Sequence, residues 1–146
     1  MILDTTYLLP LAQIAIDTDL LAAIATGRTE VKLEDTAVSL ISVFELQAKA
    51  ARLRIPARSV VKAVGAVMSA FRVEPFHKAE IIDASYMLRR TISDYVDCVV
   101  LGTAIALKED LVTEDSLILK KRENVKKEHN LDILSFRNMV RPGNAS

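Results

Sequence analysis

The sequence predicts an α/β fold: a central, mostly parallel sheet covered by helices on both faces. Three observations predict it. Short apolar runs at Met1–Leu3, Ala37–Ser42, Leu111–Thr113 and Leu131–Leu134 alternate with longer stretches of helical periodicity. The run at 37–42, AVSLIS, is almost continuously apolar, as a strand buried on both faces must be. In Ile92–Ile118, Val96, Val99, Val100, Thr103, Ala104 and Leu107 make one apolar helical face, Lys108-Glu109-Asp110 breaks it, and a short strand follows.

In chain order, Met1–Leu3 is the first strand and delivers Asp4 to its carboxyl end. Thr5 and Thr6 then cap the next helix or hydrogen-bond that carboxylate. Asp4 itself serves equally well as an N-cap. Tyr7–Ala25 reads as mostly helical, with Pro10 in its first turn and Gly27 as its stop. Arg28–Thr36 is a charged loop. The second strand, Ala37–Ser42, leads into a helix ended at Ile55-Pro56. Phe44, Gln47, Ala48 and Ala51 share one face of it, and Glu45 falls in its first turn, where the helix dipole alone favours an acid.

Pro56 opens a helix with the stripe Val60, Val64, Val67, Met68 and Phe71, which is core in character. Val73–Pro75 is an edge strand, since proline is barred from a central one. Lys78–Arg90 is helical, with Ala79, Ile82 and Tyr86 facing inward. Arg89 and Arg90 at its end are ordinary dipole partners, or else face a phosphate backbone. Ser116–His129, with KKRENVKK, reads as a solvated helix, and Leu131–Leu134 as the last strand. The expected organisation is one domain over residues 1–136 and a frayed, flexible tail over 137–146.

Composition narrows the function classes. A chain of 146 residues with 51% hydrophobic and 26% charged residues forms a globular core. Lys+Arg and Asp+Glu number 19 each, so a nucleic-acid partner requires positive charge concentrated locally. A lone cysteine excludes an internal disulfide and suits a reducing cytoplasm. No stretch reaches the roughly 18 apolar residues of a membrane span. MILDTT lacks the basic start of a signal peptide. The expected location is cytoplasmic, with no membrane partner.

Asp4, Glu45, Asp97 and Asp115 each follow a strand or begin a helix, so parallel strands can gather them on one rim. Crowded carboxylates resist joint ionisation unless a cation offsets them, and no Lys or Arg adjoins any of the four in sequence. Oxygen ligands select hard cations, Mg²⁺ or Mn²⁺ rather than zinc. Such a metal activates water and stabilises a phosphoryl group during in-line displacement. Thr5 and Thr113 are natural hydrogen-bond donors to the ligating oxygens. Asp94 shares a helical face with Asp97 and either reaches the metal through water or merely caps the helix. Lys49, Arg52, Arg89 and Arg90 are the nearest basic residues for phosphate contacts. His77 and His129 are isolated, Cys98 lies in the apolar helix, and no GxSxG, Walker or GxGxxG motif is present.

MILDTT, SVFEL, DYVDCVVLGTAIA and LVTEDSLI together resemble the PIN-domain ribonucleases, most closely the VapC-type toxins of type II toxin–antitoxin pairs. The resemblance spans nearly the whole chain and is most specific in the last two blocks. It implies a PIN-like three-layer α/β/α sandwich, with the four acids of the family falling on Asp4, Glu45, Asp97 and Asp115. It further implies Mg²⁺- or Mn²⁺-dependent endonucleolytic cleavage of RNA, a homodimer, and a cognate antitoxin inserted in the active-site groove. Gly102 stands where alanine is common, a change that keeps the residue small. Two other classes compete: a PIN-like module that has lost catalysis and serves only in interaction, and a receiver-like signalling domain. The second wants an acidic pair after the first strand and a late Lys-Pro, and has neither here.

Overall fold

In the computed structural model, which describes residues 1–142, the framework is a parallel five-stranded sheet. Its strands are β1 (Ile2–Leu3), β2 (Ala37–Ser39), β3 (Arg72–Glu74), β4 (Leu111–Val112) and β5 (Ile133–Leu134), in the order β3-β2-β1-β4-β5. Ile2 pairs with Ala37 and Leu111, and Val112 pairs with both Leu3 and Leu134. Successive side chains on a strand point to opposite faces. Each two- or three-residue strand therefore feeds two cores. Leu3, Val38 and Val112 pack on one face with Tyr7, Leu8, Leu46 and Val67. Ile2, Ala37, Leu111 and Ile133 pack on the other with Cys98, Leu101, Ala104 and Ile118. This is the expected three-layer α/β/α arrangement, and β3 is the expected edge.

Local structure departs from the sequence reading in several places. The single helix expected over Tyr7–Ala25 is two pieces. Thr5–Ala12 is a 3-10 helix containing Pro10, ended by Gln13 in the left-handed region (φ 64°), and α1 covers Leu20–Ala25. Pro10 removes an amide donor and crowds the preceding turn, which opposes a continuous α-helix. The expected stop is present: the Gly27 amide donates to Ile24 and the Arg28 amide to Ala23, with Gly27 at φ 70°.

The second strand stops at Ser39, three residues early. Ser39 Oγ accepts from the Ile41 amide at 3.2 Å and starts α2 (Leu40–Arg52). Glu45 consequently lies in the second turn, and the first-turn dipole argument does not apply to it. The inward face of α2 is Ser42, Val43, Leu46 and Ala50, while Phe44, Gln47 and Ala51 are exposed. Apolar residues surround this helix; where β2 ends decides which of them turn inward.

Helix α3 (Ala57–Ala70) buries Ala63 and Val67, with Phe71 just beyond it; Val60 and Val64 are half-buried and Met68 is exposed. Helix α4 (Ala79–Leu88) turns Ile81 and Ser85 inward and leaves Ala79, Ile82 and Tyr86 exposed, opposite to expectation. The cause is close helix packing. A Cβ placed on Gly102 would stand 2.6 Å from Ser85 Oγ and 3.1 Å from the Ser85 amide nitrogen. Gly102 lies on α5 (Tyr95–Leu107), which is enclosed by the sheet and α4, with Cys98 through Ala104 all buried. One apolar stripe understates it; a helix covered on both sides is apolar all round. Ser116–His129 divides into α6 (Ser116–Leu119) and α7 (Arg122–His129).

The expected tail begins with residues that contact the domain. Helix α8 (Phe136–Met139) packs Phe136 and Met139 on the first core, the Arg141 amide donates to Arg28 at 3.0 Å, and the Arg141 guanidinium pairs with Glu30. Residues 143–146 of that expectation lie outside the described residues.

Candidate active site

The connections from β1 to β2 and β3 run to one side of β1, and β4 and β5 lie on the other. At such a reversal an open parallel sheet gapes at the carboxyl ends of its strands. Asp4 is the first residue past β1, and its amide donates to Val112 of β4 at 3.0 Å. The Asp4 carboxylate is buried and held at both oxygens: Oδ1 accepts from the Thr5 amide and Oδ2 from Thr113 Oγ1, each at 2.7 Å. Thr113 Oγ1 in turn accepts from the Asp115 amide at 3.0 Å. One hydroxyl, with a donor and two acceptor lone pairs, thus joins the ends of β1 and β4.

The remaining acids arrive from other elements. Asp115 caps α6, accepting from the Leu117 and Ile118 amides at 2.9 and 3.0 Å. Asp94 caps α5 by accepting from the Val96 and Asp97 amides, and Asp97 follows in the first turn. Glu45 projects from α2 beside Lys49, with Oε1 and Nζ 3.9 Å apart. A cationic partner that sequence adjacency did not reveal is supplied one helical turn away.

Asp4, Glu45, Asp97 and Asp115 all line one cleft of about 410 Å³, and Asp94, Lys49 and Arg52 share its wall. Thr6, considered above as a cap or a donor to Asp4, also lines the wall, and one wall residue escaped sequence reasoning: Glu114, between the two singled-out residues Thr113 and Asp115. Six acids against two bases leave the cleft strongly negative. Burial, then the charges of Asp115, Asp4, Asp94 and Glu45, pushes the Asp97 carboxyl up to about 7. Burial also raises Asp4, against the opposing hydrogen bonds from Thr113 and Thr5.

A hard divalent cation fits these residues in donor chemistry, because the acids are oxygen donors whose mutual repulsion a cation would relieve. Among the described residues, however, no three potential ligands are grouped closely enough to hold an ion with their side chains as they stand. The acids share a wall without closing on one point.

Other expectations are placed elsewhere. Arg89 and Arg90 do not line the cleft: Arg89 caps the carboxyl end of α4, and Arg90 faces a separate depression with Lys121 and His129. Thr5 serves Asp4 through its backbone, and its buried hydroxyl has no partner. Cys98 is packed, with Sγ 3.5 Å from the Ile92 carbonyl, and both histidines are exposed. No helix among the described residues is long and apolar enough to cross a membrane.

Comparison with known proteins gives three results. No curated protein matches the chain. Solved structures do, including FitAcB from Neisseria gonorrhoeae (16% identity, 94% of this chain and 99% of that one, TM-score 0.65). A VapBC2 complex from Rickettsia felis, bound to a promoter DNA fragment, matches at 20% identity over 92% and 96% of the two chains, with TM-score 0.62. A toxin–antitoxin complex from Klebsiella pneumoniae matches at 21% identity over 79% and 86%, with TM-score 0.54. At these identities the likeness is one of fold. The model of the PIN domain family matches residues 1–124, and the chain belongs to that family.

Proposed function

We propose that this PIN domain is a divalent-metal-dependent endoribonuclease and the toxin of a toxin–antitoxin pair. One observation carries the reading: four carboxylates from four elements line one cleft at the switch point of the sheet, where burial and then their mutual repulsion lift Asp97 to about 7. A cluster this negative suits a cation, and its oxygen donors suit Mg²⁺ or Mn²⁺. Asp4, Asp97 and Asp115, with Glu45, would hold it. Bound there, the ion would supply the positive charge that favours attack of water on an RNA phosphodiester. Thr113 and the Thr5 amide already fix the orientation of Asp4. Lys49 and Arg52 stand on the same wall to meet phosphates. A cognate antitoxin completes the proposal, supported by the toxin–antitoxin complex named for a structural relative; a homodimer is proposed with it on the family resemblance alone.

The receiver-like alternative falls with the family assignment. A catalytically silent interaction module is favoured by the ungrouped ligands. Incubating single-stranded or loop RNA with the purified protein separates the two. Cleavage with Mg²⁺ or Mn²⁺ that EDTA abolishes supports the nuclease. Cleavage that survives the chelator defeats the metal mechanism, and intact RNA at saturating Mn²⁺ supports the silent module.

A further inference from the structure

Glu114 lines the cleft, yet the reading above gives it no task. Its surroundings do. Strands β4 and β5 are only two residues long, and their ladder ends with the Thr113 amide donating to Leu134 at 2.9 Å. Continuing the register from Val112–Leu134 would set residue 114 opposite Phe136. Both chains leave the sheet at this point, since Asp115 caps α6 and Ser135 caps α8. A side chain makes the missing rung: Glu114 Oε1 accepts from the Phe136 amide at 3.1 Å. That amide is among the donors that every helix start leaves without an intrahelical partner.

Phe136 is held from below as well, because it packs on the core that contains Tyr7. The Tyr7 phenol is wholly buried close to Glu114, which helps raise its ionisation, and its hydroxyl makes no well-formed hydrogen bond. Glu114 is therefore enclosed by α8, Tyr7 and the cleft. Phe136 also lies beyond the residues that match the family.

We propose that Glu114 is a positioning residue: its bond to the Phe136 amide fixes the Thr113–Asp115 connection and makes the β5–α8 segment part of the site's frame. The role acts through Asp115 and through Thr113, which holds Asp4. It rests on the metal-dependent reading of the cleft. A carboxamide oxygen accepts the same hydrogen bond without the charge, so Glu114→Gln should keep this function and Glu114→Ala should lose it.

The test titrates Mn²⁺ into wild type, Glu114→Gln and Glu114→Ala, reading RNA cleavage, the thermal shift and amide exchange at Phe136. Glu114→Ala should need about tenfold more Mn²⁺ to reach half its effect, the lower end of what losing a direct partner of a metal ligand costs, because Glu114 acts one step further out. Its maximal rate at saturating Mn²⁺ should stay near that of wild type, and its Phe136 amide should exchange faster. Glu114→Gln should follow wild type in all three. A Gln variant as impaired as the Ala variant would overturn the role and make the charge itself the agent. An Ala variant with an unchanged midpoint would overturn it too, leaving Glu114 as wall. A wild type indifferent to Mn²⁺ in both cleavage and thermal shift would defeat the nuclease reading, and this role with it.

Discussion

Asp97→Asn separates a carboxylate crowded by charge from one that merely begins a helix. Four other carboxylates raise Asp97, and burial raises it more, so its folded value of about 7 lies well above an ordinary aspartate. The folded state therefore holds the proton more tightly than the unfolded chain. For a raised acid, stability is fully present below the unfolded value and is lost as pH climbs through the folded one. Metal-free wild type should lose stability between about pH 4 and pH 7. A shift of about three units is worth roughly 4 kcal/mol in full burial. Water reaches half-buried Asp97, and screening reduces this to about 2 kcal/mol.

One effect opposes the gain. Asp97 occupies the first turn of α5, where a negative charge contributes roughly 0.5 kcal/mol against the dipole. The metal-free Asn variant should thus exceed wild type by about 1.5 kcal/mol at pH 8, a rise of roughly 3–6 °C for a domain of this size. Near pH 4 the advantage should vanish. Saturating metal should reverse the order, since about a hundredfold excess over the dissociation constant adds roughly 2.7 kcal/mol to wild type. The variant should gain clearly less. Thermal unfolding of both proteins from pH 4 to 8, in EDTA and in Mg²⁺, measures every term. A difference that does not change with pH, or equal gains from metal, would refute the reasoning.

Three further outcomes are expected. Thr113→Val removes the donor to Asp4 and the acceptor for the Asp115 amide, so denaturant titration at pH 7 should show a loss of about 1–3 kcal/mol. Gly102→Ala should lose about 1–2 kcal/mol, because overpacking against Ser85 outweighs the helix propensity gained; replacing Ser85 by Ala as well should recover part of it. Paired alanines at Lys49 and Arg52 should weaken RNA binding and flatten its salt dependence, whereas the same change at Arg89 and Arg90, away from the cleft, should leave that slope unchanged.

The sequence carried the fold because short, continuous apolar runs mark even strands as brief as Ile2–Leu3 and Leu111–Val112. Three of the acids were legible for a related reason, since Asp4 and Asp115 come just after such runs and Asp97 falls in the first turn of its helix, whereas Glu45 lies in the second turn of α2. What escaped was set by three-dimensional phase. The early end of β2 decided which face of α2 turned inward, and close packing of Ser85 on Gly102 rotated α4 away from its apolar stripe. Glu114 was hidden because its partner, Phe136, lies 22 residues along the chain and is reached only through the β4–β5 pairing. Gly102 was read as a harmless small residue, and nothing local marks Ser85 as its neighbour.

The central claim, that the carboxylate cleft binds a divalent cation, is tested most directly by paramagnetic Mn²⁺ titrated into isotope-labelled protein. Broadening by Mn²⁺ falls off steeply with distance, so amide signals report where the ion sits. The signals of Asp4, Thr5, Glu45, Asp97, Thr113 and Asp115 should broaden first and at substoichiometric Mn²⁺, and Asp97→Asn should suppress the effect. Broadening that begins elsewhere, at the acids of α7 or around Glu30 for instance, or that spreads evenly over the surface, would contradict the account.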